Sequence, residues 1–395
     1  MTTNPGLMLE GVKVADFSAL LPGPYGTVLL ADIGADVIKI EPPRGDLARR
    51  MPFNMYRAVN RNKRTLCLDL KSPESRAVVR RLVEWADVVV EGSRPGVAKR
   101  LGIDAETVRA IKPGVVHCSI SGFGQTGPLN QLAGHDVTYM AMSGALAYTS
   151  SLTDDRPSRS GLPVSDLSGS MYFSLLVVSA LLRARTTGEG ASIDLSLMET
   201  AMSFASVRGD FDSERPTRGY LYPGNDVFQT ADDRWIALGL IEEHFWFNFV
   251  EAVSTLEPAL RNPDYVTESG RHDHRFEITK TIETLMSRKT GPEWIALFEP
   301  HDVPAAIVLK PVEAIESPQI VARDLVRSID GERHLPLPAL VDGKPCGRLK
   351  SLAAAVGENN AEVLSELGFG GEEIASLERA GVTRPQASTR EEAAQ

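Results

Sequence analysis

Cysteine is scarce: Cys67, Cys118 and Cys346 are the three in 395 residues, odd in number and widely separated. That argues against a disulfide framework or a thiolate zinc site and points to a reducing, cytoplasmic setting. An excess of positive charge is missing too. Lys and Arg number 42 against 52 Asp and Glu, a formal charge of −10, which disfavours a nucleic-acid binder or a surface that coats an anionic membrane. No apolar run is long. The most apolar stretch, Met171 to Leu182, spans 12 residues, contains serines and runs into Arg183, so it is too short for a bilayer and is expected to be a buried helix. Met1 to Leu7 lacks a charged region followed by an apolar one, so no signal peptide is expected. There is no internal repeat, no low-complexity tract and no GxGxxG after the first predicted strand, so a dinucleotide is not implied.

What is present is alternation. Val12 to Phe17 reads as a strand, Leu20 to Ile33 as a helix opened by Pro22-Gly23-Pro24, and Val37 to Ile40 as a second strand. Ser72 is placed to cap a helix with Pro73 at its first position, followed by the strand 88–90; a helix from Asp104 to Ile111 leads to the strand 115–120. Repeated β-α units predict a parallel α/β sheet, a large Rossmann-like domain over residues 1–209. A long helix beginning near Asp166 and a strand 192–195 complete that layer. The charged stretch 210–225 reads as a linker, and 226–325 as a smaller α+β domain opening with a hairpin at 227–230 and 235–238. Residues 326–395 hold short strands broken by prolines, two short helices and a polar tail expected to be mobile beyond Arg384.

The acidic average conceals a basic third. Residues 39–100 carry a net charge of +8, which leaves −18 elsewhere. Arg57, Arg61, Lys63, Arg64, Lys71, Arg94, Lys99 and Arg100 fall mostly in loops beside predicted strands, where α/β folds receive ligand phosphates. Asp166 stands just ahead of the apolar helix among small residues. It is placed as an N-cap, and the same helix start offers N–H groups to a developing oxyanion beside a carboxylate. His135 opens another helix after the Gly122 to Pro128 loop, and Glu242 follows the strand 235–239. On spacing alone these two read as a structural histidine and a first-turn glutamate. His272-Asp273-His274 has no further ligands at helical spacing, so no metal is expected.

Taken together, several segments resemble the family III CoA-transferases, a group that includes formyl-CoA transferase and the α-methylacyl-CoA racemases. They are Leu9 to Val14 with the Pro22-Gly23-Pro24 turn, Gly34 to Glu41, Asn62-Lys63-Arg64 leading to Leu68-Asp69-Leu70-Lys71, Arg94-Pro95-Gly96, and Ser121 to Pro128. The resemblance implies a large Rossmann-like domain built from both chain ends, a smaller domain between, and a homodimer of interlocked rings. It implies an acyl-CoA thioester as substrate, with coenzyme A as part of that substrate rather than a tightly bound cofactor. Leu68 to Lys71 would lie near the nucleotide, Arg100 toward the phosphates, Asp136 and Tyr139 near the pantetheine, with Arg94 also in the CoA site. Pro42-Pro43 stand where relatives often carry an arginine, so either Arg44 substitutes or the adenine contacts differ.

Two chemistries share that scaffold. In the transferases an aspartate at the position of Asp166 attacks the thioester to form an anhydride. In the racemases the aspartate and a histidine flank the α-carbon, one removing the proton and the other returning it, with a glutamate orienting the histidine. This chain has His135 and Glu242 at those positions and lacks the glycine run of the formyl type. The expectation is therefore racemisation of a 2-methylacyl-CoA by Asp166 and His135, with CoA transfer through Asp166 as the alternative.

Overall fold

The computed structural model describes residues 7–51, 53–149, 156–209, 212 and 222–384. Most of the expected linker at 210–225, residues 1–6 of the N-terminal segment, and the tail past Arg384 lie outside the described residues. The chain divides into two compact units, one of Met1–Leu146, Arg159–Arg208 and Gln319–Gln395, the other of Ala147–Ser158 and Gly209–Pro318.

The larger unit begins β1 (Lys13–Phe17), α1 (Pro22–Asp32), β2 (Asp36–Glu41), α2 (Met55–Val59), β3 (Arg64–Cys67), α3 (Ser75–Trp85) and β4 (Val88–Glu91). It continues α4 (Val97–Leu101), α5 (Ala105–Ile111), β5 (Val116–Ser121), α6 (Asp136–Met142), α7 (Val164–Thr187), β6 (Ala191–Ser196) and α8 (Leu197–Ala205). The six strands are parallel in the order β3-β2-β1-β4-β5-β6. That order reverses between β1 and β4, which in a doubly wound sheet opens a crevice beyond the strand C-termini.

Strand alternation divides the core in two. Val14, Val37, Val88, Val90, Val116 and Ile120 point to one face, where Leu30 of α1 and Phe173 and Val177 of α7 cover them. Ala15, Ile38, Leu66 and Val89 point to the other, against Val78, Leu82 and Val83 of α3 and Val108 of α5. Each such burial contributes roughly 1.5–3 kcal/mol. This three-layer sandwich is the Rossmann-like domain expected from the alternation.

The smaller unit is α+β. Its strands β7 (Val227–Gln229), β8 (Trp235–Leu238) and β9 (Ala305–Ile307) form an antiparallel sheet. Its helices are α9 (Glu243–Ala252), α10 (Glu268–Asp273), α11 (Arg275–Met286), α12 (Gly291–Phe298) and α13 (Pro311–Ile315), and Trp246, Phe249, Trp294 and Phe298 fill its core. The chain then passes α14 (Pro318–Arg323) and two short antiparallel ribbons to α15 (Asn360–Glu366) and α16 (Gly371–Arg379). Val363, Leu364, Leu367 and Val382 pack into the α3 side of the large sheet, so both chain ends build that domain.

Three local expectations need correction. Ser72 does not cap α3, which starts at Ser75; Pro73 and Glu74 form a turn whose carbonyl at Ser72 accepts the Ser75 N–H. Strand β3 and helix α8 were not anticipated. The long helix expected from near Asp166 is present, 24 residues over Val164–Thr187, but it is only partly buried: Phe173 and Val177 enter the core while Met171, Leu175 and Leu182 are exposed. Its serine- and glycine-rich first turns continue the helix because Ser168, Gly169 and Ser170 pack in the interior.

Candidate active site

A cavity of about 280 Å³ opens at the C-terminal ends of β1, β4 and β5. Its walls are the loops that follow those strands: Ser18 to Gly23 after β1, Gly92 to Pro95 after β4, and Gly122-Phe123 after β5. His135, Tyr139 and Asp166 complete it. The parallel sheet thus delivers three loops and two helix starts to one place, the switch point of its strand order.

The β1 loop is held by buried charge. Asp16, next to last in β1, accepts the Ser18 N–H and the Thr27 hydroxyl on its carboxylate, and Lys63 lies 3.2 Å from it. Burial raises the Asp16 carboxyl, but the Lys39 and Lys63 ammoniums and two hydroxyls outweigh that and hold it near 2. Lys39 also donates to the Ser18 carbonyl and pairs with Asp46 at 3.2 Å, and the Asp46 carboxylate accepts the Leu20 N–H. Leu20 is left-handed at φ 66°, a strained state for a leucine, on the cavity wall. Two glycines make room for Tyr139: a Cβ at Gly122 or at Gly134 would stand 2.4 Å from its ring. The Tyr139 hydroxyl donates to the Gly134 carbonyl at 2.6 Å.

Asp166 is not an N-cap. Pro163 occupies that position and offers no side-chain cap, while Asp166 is the third residue of α7. The cap comes from the neighbouring helix. Oδ1 of Asp136 accepts the N–H groups of Ser165 and Asp166 at 2.7 and 3.3 Å. Those amides are therefore unavailable to an oxyanion, contrary to the expectation for this helix start. A helix N-terminus lowers a carboxyl in its first turn. Here burial, and then the charge of Asp136, prevail and raise Asp166 to about 7.

His135 is the N-cap residue of α6; its N–H donates to Thr138 Oγ1 at 2.9 Å, and the residue, exposed, lines the cavity. Glu242 belongs to the smaller unit, exposed just before α9, where its carbonyl accepts the Phe245 and Trp246 N–H groups. Near the site, Met140 is buried against Ala145 and Ala201, and Met142 and Leu162 are exposed.

The cations sort into two sets. Arg61 pairs with Asp32 at 2.6 Å, Lys63 with Asp16, Arg64 with Asp36 and Glu366 at 2.7 and 2.6 Å, and Arg57 with Glu332. Much of the basic third is thus neutralised within the fold. Arg44, Lys71, Arg94 and Arg100 are exposed and, among the described residues, free of ion pairs. They follow β2, β3 and β4, on the side of the sheet where the cavity opens. Leu68 is fully buried in the core and donates its N–H to the Glu41 carbonyl. The role of Asp136 in capping α7, and of Lys39 and Asp46 in holding the β1 loop, had no local signal, since each joins segments well separated in sequence.

The model of the family described as CoA-transferase family III matches residues 9–359. The chain belongs to this family. It is 32% identical over 385 residues to a succinate–glutarate CoA-transferase of Agrobacterium fabrum, covering 91% of this chain and 95% of that one. It is 29% identical over 382 residues to the human alpha-methylacyl-CoA racemase, covering 94% and 96%. A CAIB/BAIF family protein from Brucella suis, known from a crystal structure, superposes with a TM-score of 0.81 at 27% identity, over 92% of this chain and 100% of that chain. The family assignment makes the protein a family III CoA-transferase-like enzyme.

Proposed function

We propose that the enzyme racemises or epimerises a 2-methylacyl-CoA at the carbon next to the thioester. The observation that carries this reading is that His135 and Asp166 border one cavity while the Asp166 carboxyl is raised to about 7. A carboxyl poised there is protonated in half the molecules at neutral pH, so it serves as acid in one direction and base in the other. Neutral His135 removes the α-proton, the electron pair passes to the thioester oxygen, and protonated Asp166 returns a proton to the opposite face; reversal exchanges the roles.

A second reading is supported by the relative named as a succinate–glutarate CoA-transferase: Asp166, ionised, attacks the thioester carbonyl, expels the CoA thiolate and forms an anhydride. One incubation separates them. In deuterated water the racemase exchanges the α-hydrogen of a 2-methylacyl-CoA, and Asp166→Ala or His135→Ala slows exchange about 100-fold or more. Absence of exchange, with hydroxylamine trapping an acyl group from Asp166, overturns racemisation in favour of transfer.

A further inference from the structure

We infer that Asp136 acts through Asp166 rather than on the substrate: it is a positioning residue that ties down the first turn of α7 and sets a second carboxylate beside the reactive one. This rests on the reading of Asp166 as the reacting carboxyl and deepens it. The geometry has three parts. First, α7 has no cap of its own, since Pro163 has no side-chain acceptor and Asp166 lies too far into the helix to cap it. Its free amides need an acceptor, and an aspartate from outside serves as well as one at the N-cap. Second, one oxygen of Asp136 takes both the Ser165 and the Asp166 N–H, so it fixes the backbone of the reactive residue itself. Third, the family resemblance places Asp136 against pantetheine, yet the oxygen that binds these amides is already engaged.

The electrostatics agree with the geometry. After burial, the charge of Asp136 is what raises Asp166 to about 7. Arg94, His135 and Tyr139 border the same cavity. The elements packed against α7 also carry Tyr25 and Asp32 on α1, Glu199 on α8, His117 on β5 and Asp194 on β6, besides Asp136 on α6. Of all these, the charge acting on Asp166 is that of Asp136. Two like charges so placed resist joint ionisation, and the dipole of α7 partly offsets that resistance.

The test compares Asp136→Asn with Asp136→Ala. Asparagine keeps an oxygen for the two amides and removes the charge; alanine removes both. The primary readout is independent of turnover: the infrared band of the protonated Asp166 carboxyl, identified as the one lost in Asp166→Asn, is titrated in each full-length protein. In Asp136→Asn its midpoint is expected to fall by about one unit, the size of a nearby like-charge effect. The acidic limb of the exchange rate should move the same way, while the melting temperature stays near the parent's. Asp136→Ala is expected to lose a few degrees of melting temperature through the lost cap. An unchanged midpoint in Asp136→Asn overturns the proposal, as does a tenfold rise in the Michaelis constant for acyl-CoA with the midpoint fixed, which marks a substrate contact. A shifted midpoint in a protein that exchanges no α-hydrogen supports the role of Asp136 and removes the racemase reading instead.

Discussion

A carboxyl that holds its proton up to about pH 7 is a cost to the fold as well as a tool for catalysis. Asp166 binds a proton more tightly in the native chain, where burial and Asp136 raise it, than in the unfolded chain near its ordinary 3.8. Below pH 4 both states are protonated and the residue is neutral toward stability. Between about 4 and 7 only the native state keeps the proton, so stability falls as pH rises, and above 7 the full penalty stands. Three units at about 1.4 kcal/mol each set an upper bound of about 4 kcal/mol, lowered by solvent screening because the residue is partly exposed. Asp166→Asn should therefore be more stable than the parent at pH 8, with the gain vanishing at pH 4, as read by urea unfolding at the two pH values. Equal stability at pH 8 rules out a strained carboxyl. Residue type and helix starts alone read Asp166 as a cap and His135 as a structural residue; the resemblance to the family is what singled them out as the proposed reacting pair. The capping arrangement was not legible, because Asp136 and Asp166 meet across 30 residues of chain.

At the scale of elements, α7 carries Asp166 at its tip and is braced along its length by α1. Gly26 of α1 is the contact that sets their separation: a Cβ there would stand 2.2 Å from the Phe173 ring. Near the tip, Ser170 donates to the Pro22 carbonyl at 2.7 Å, so a shift of α7 is felt in the β1 loop. Gly26→Ala must push Phe173 aside in a close-packed interior, at about 1–3 kcal/mol. A melting temperature lower by several degrees is expected, with kcat reduced more than KM is changed, because the site moves while the outer surface does not. Unaltered kcat would uncouple the helix contact from the site. Most strands were readable because valine and isoleucine runs buried on two faces have few alternatives. Two elements were not. β3 is four residues, Arg64-Thr65-Leu66-Cys67, ordered by pairing with β2 and by Asn359 and Asn360 bonding its N–H groups. α8 follows β6 without a turn, since Ser196 both ends the strand and caps the helix.

For the whole molecule, the formal charge of −10 is an average over very different tasks. Residues 39–100 hold a net +8, yet Arg61 and Lys63 are buried against Asp32 and Asp16, where loss of one partner strands the other's charge. Sequence position cannot separate such cations from exposed ones, because each pairing partner lies on a different strand or helix. Among the exposed cations without an ion pair, Arg44, Lys71, Arg94 and Arg100 follow β2, β3 and β4, while His135 and Asp166 line the cavity at the ends of β1, β4 and β5. An acyl-CoA bound in that sense lays its nucleotide over one part of the sheet edge and its thioester in the cavity. Alanine at Arg44 or Arg100 should raise KM for acyl-CoA about tenfold, the worth of one charge-assisted hydrogen bond, and leave kcat near the parent's. KM for the matching acyl-pantetheine, which has no nucleotide phosphates, should not change. Raising the salt concentration should weaken the parent toward the variants, because exposed cations are screened within about 10 Å at 0.1 M. If acyl-CoA and acyl-pantetheine respond alike, these arginines do not read the phosphates.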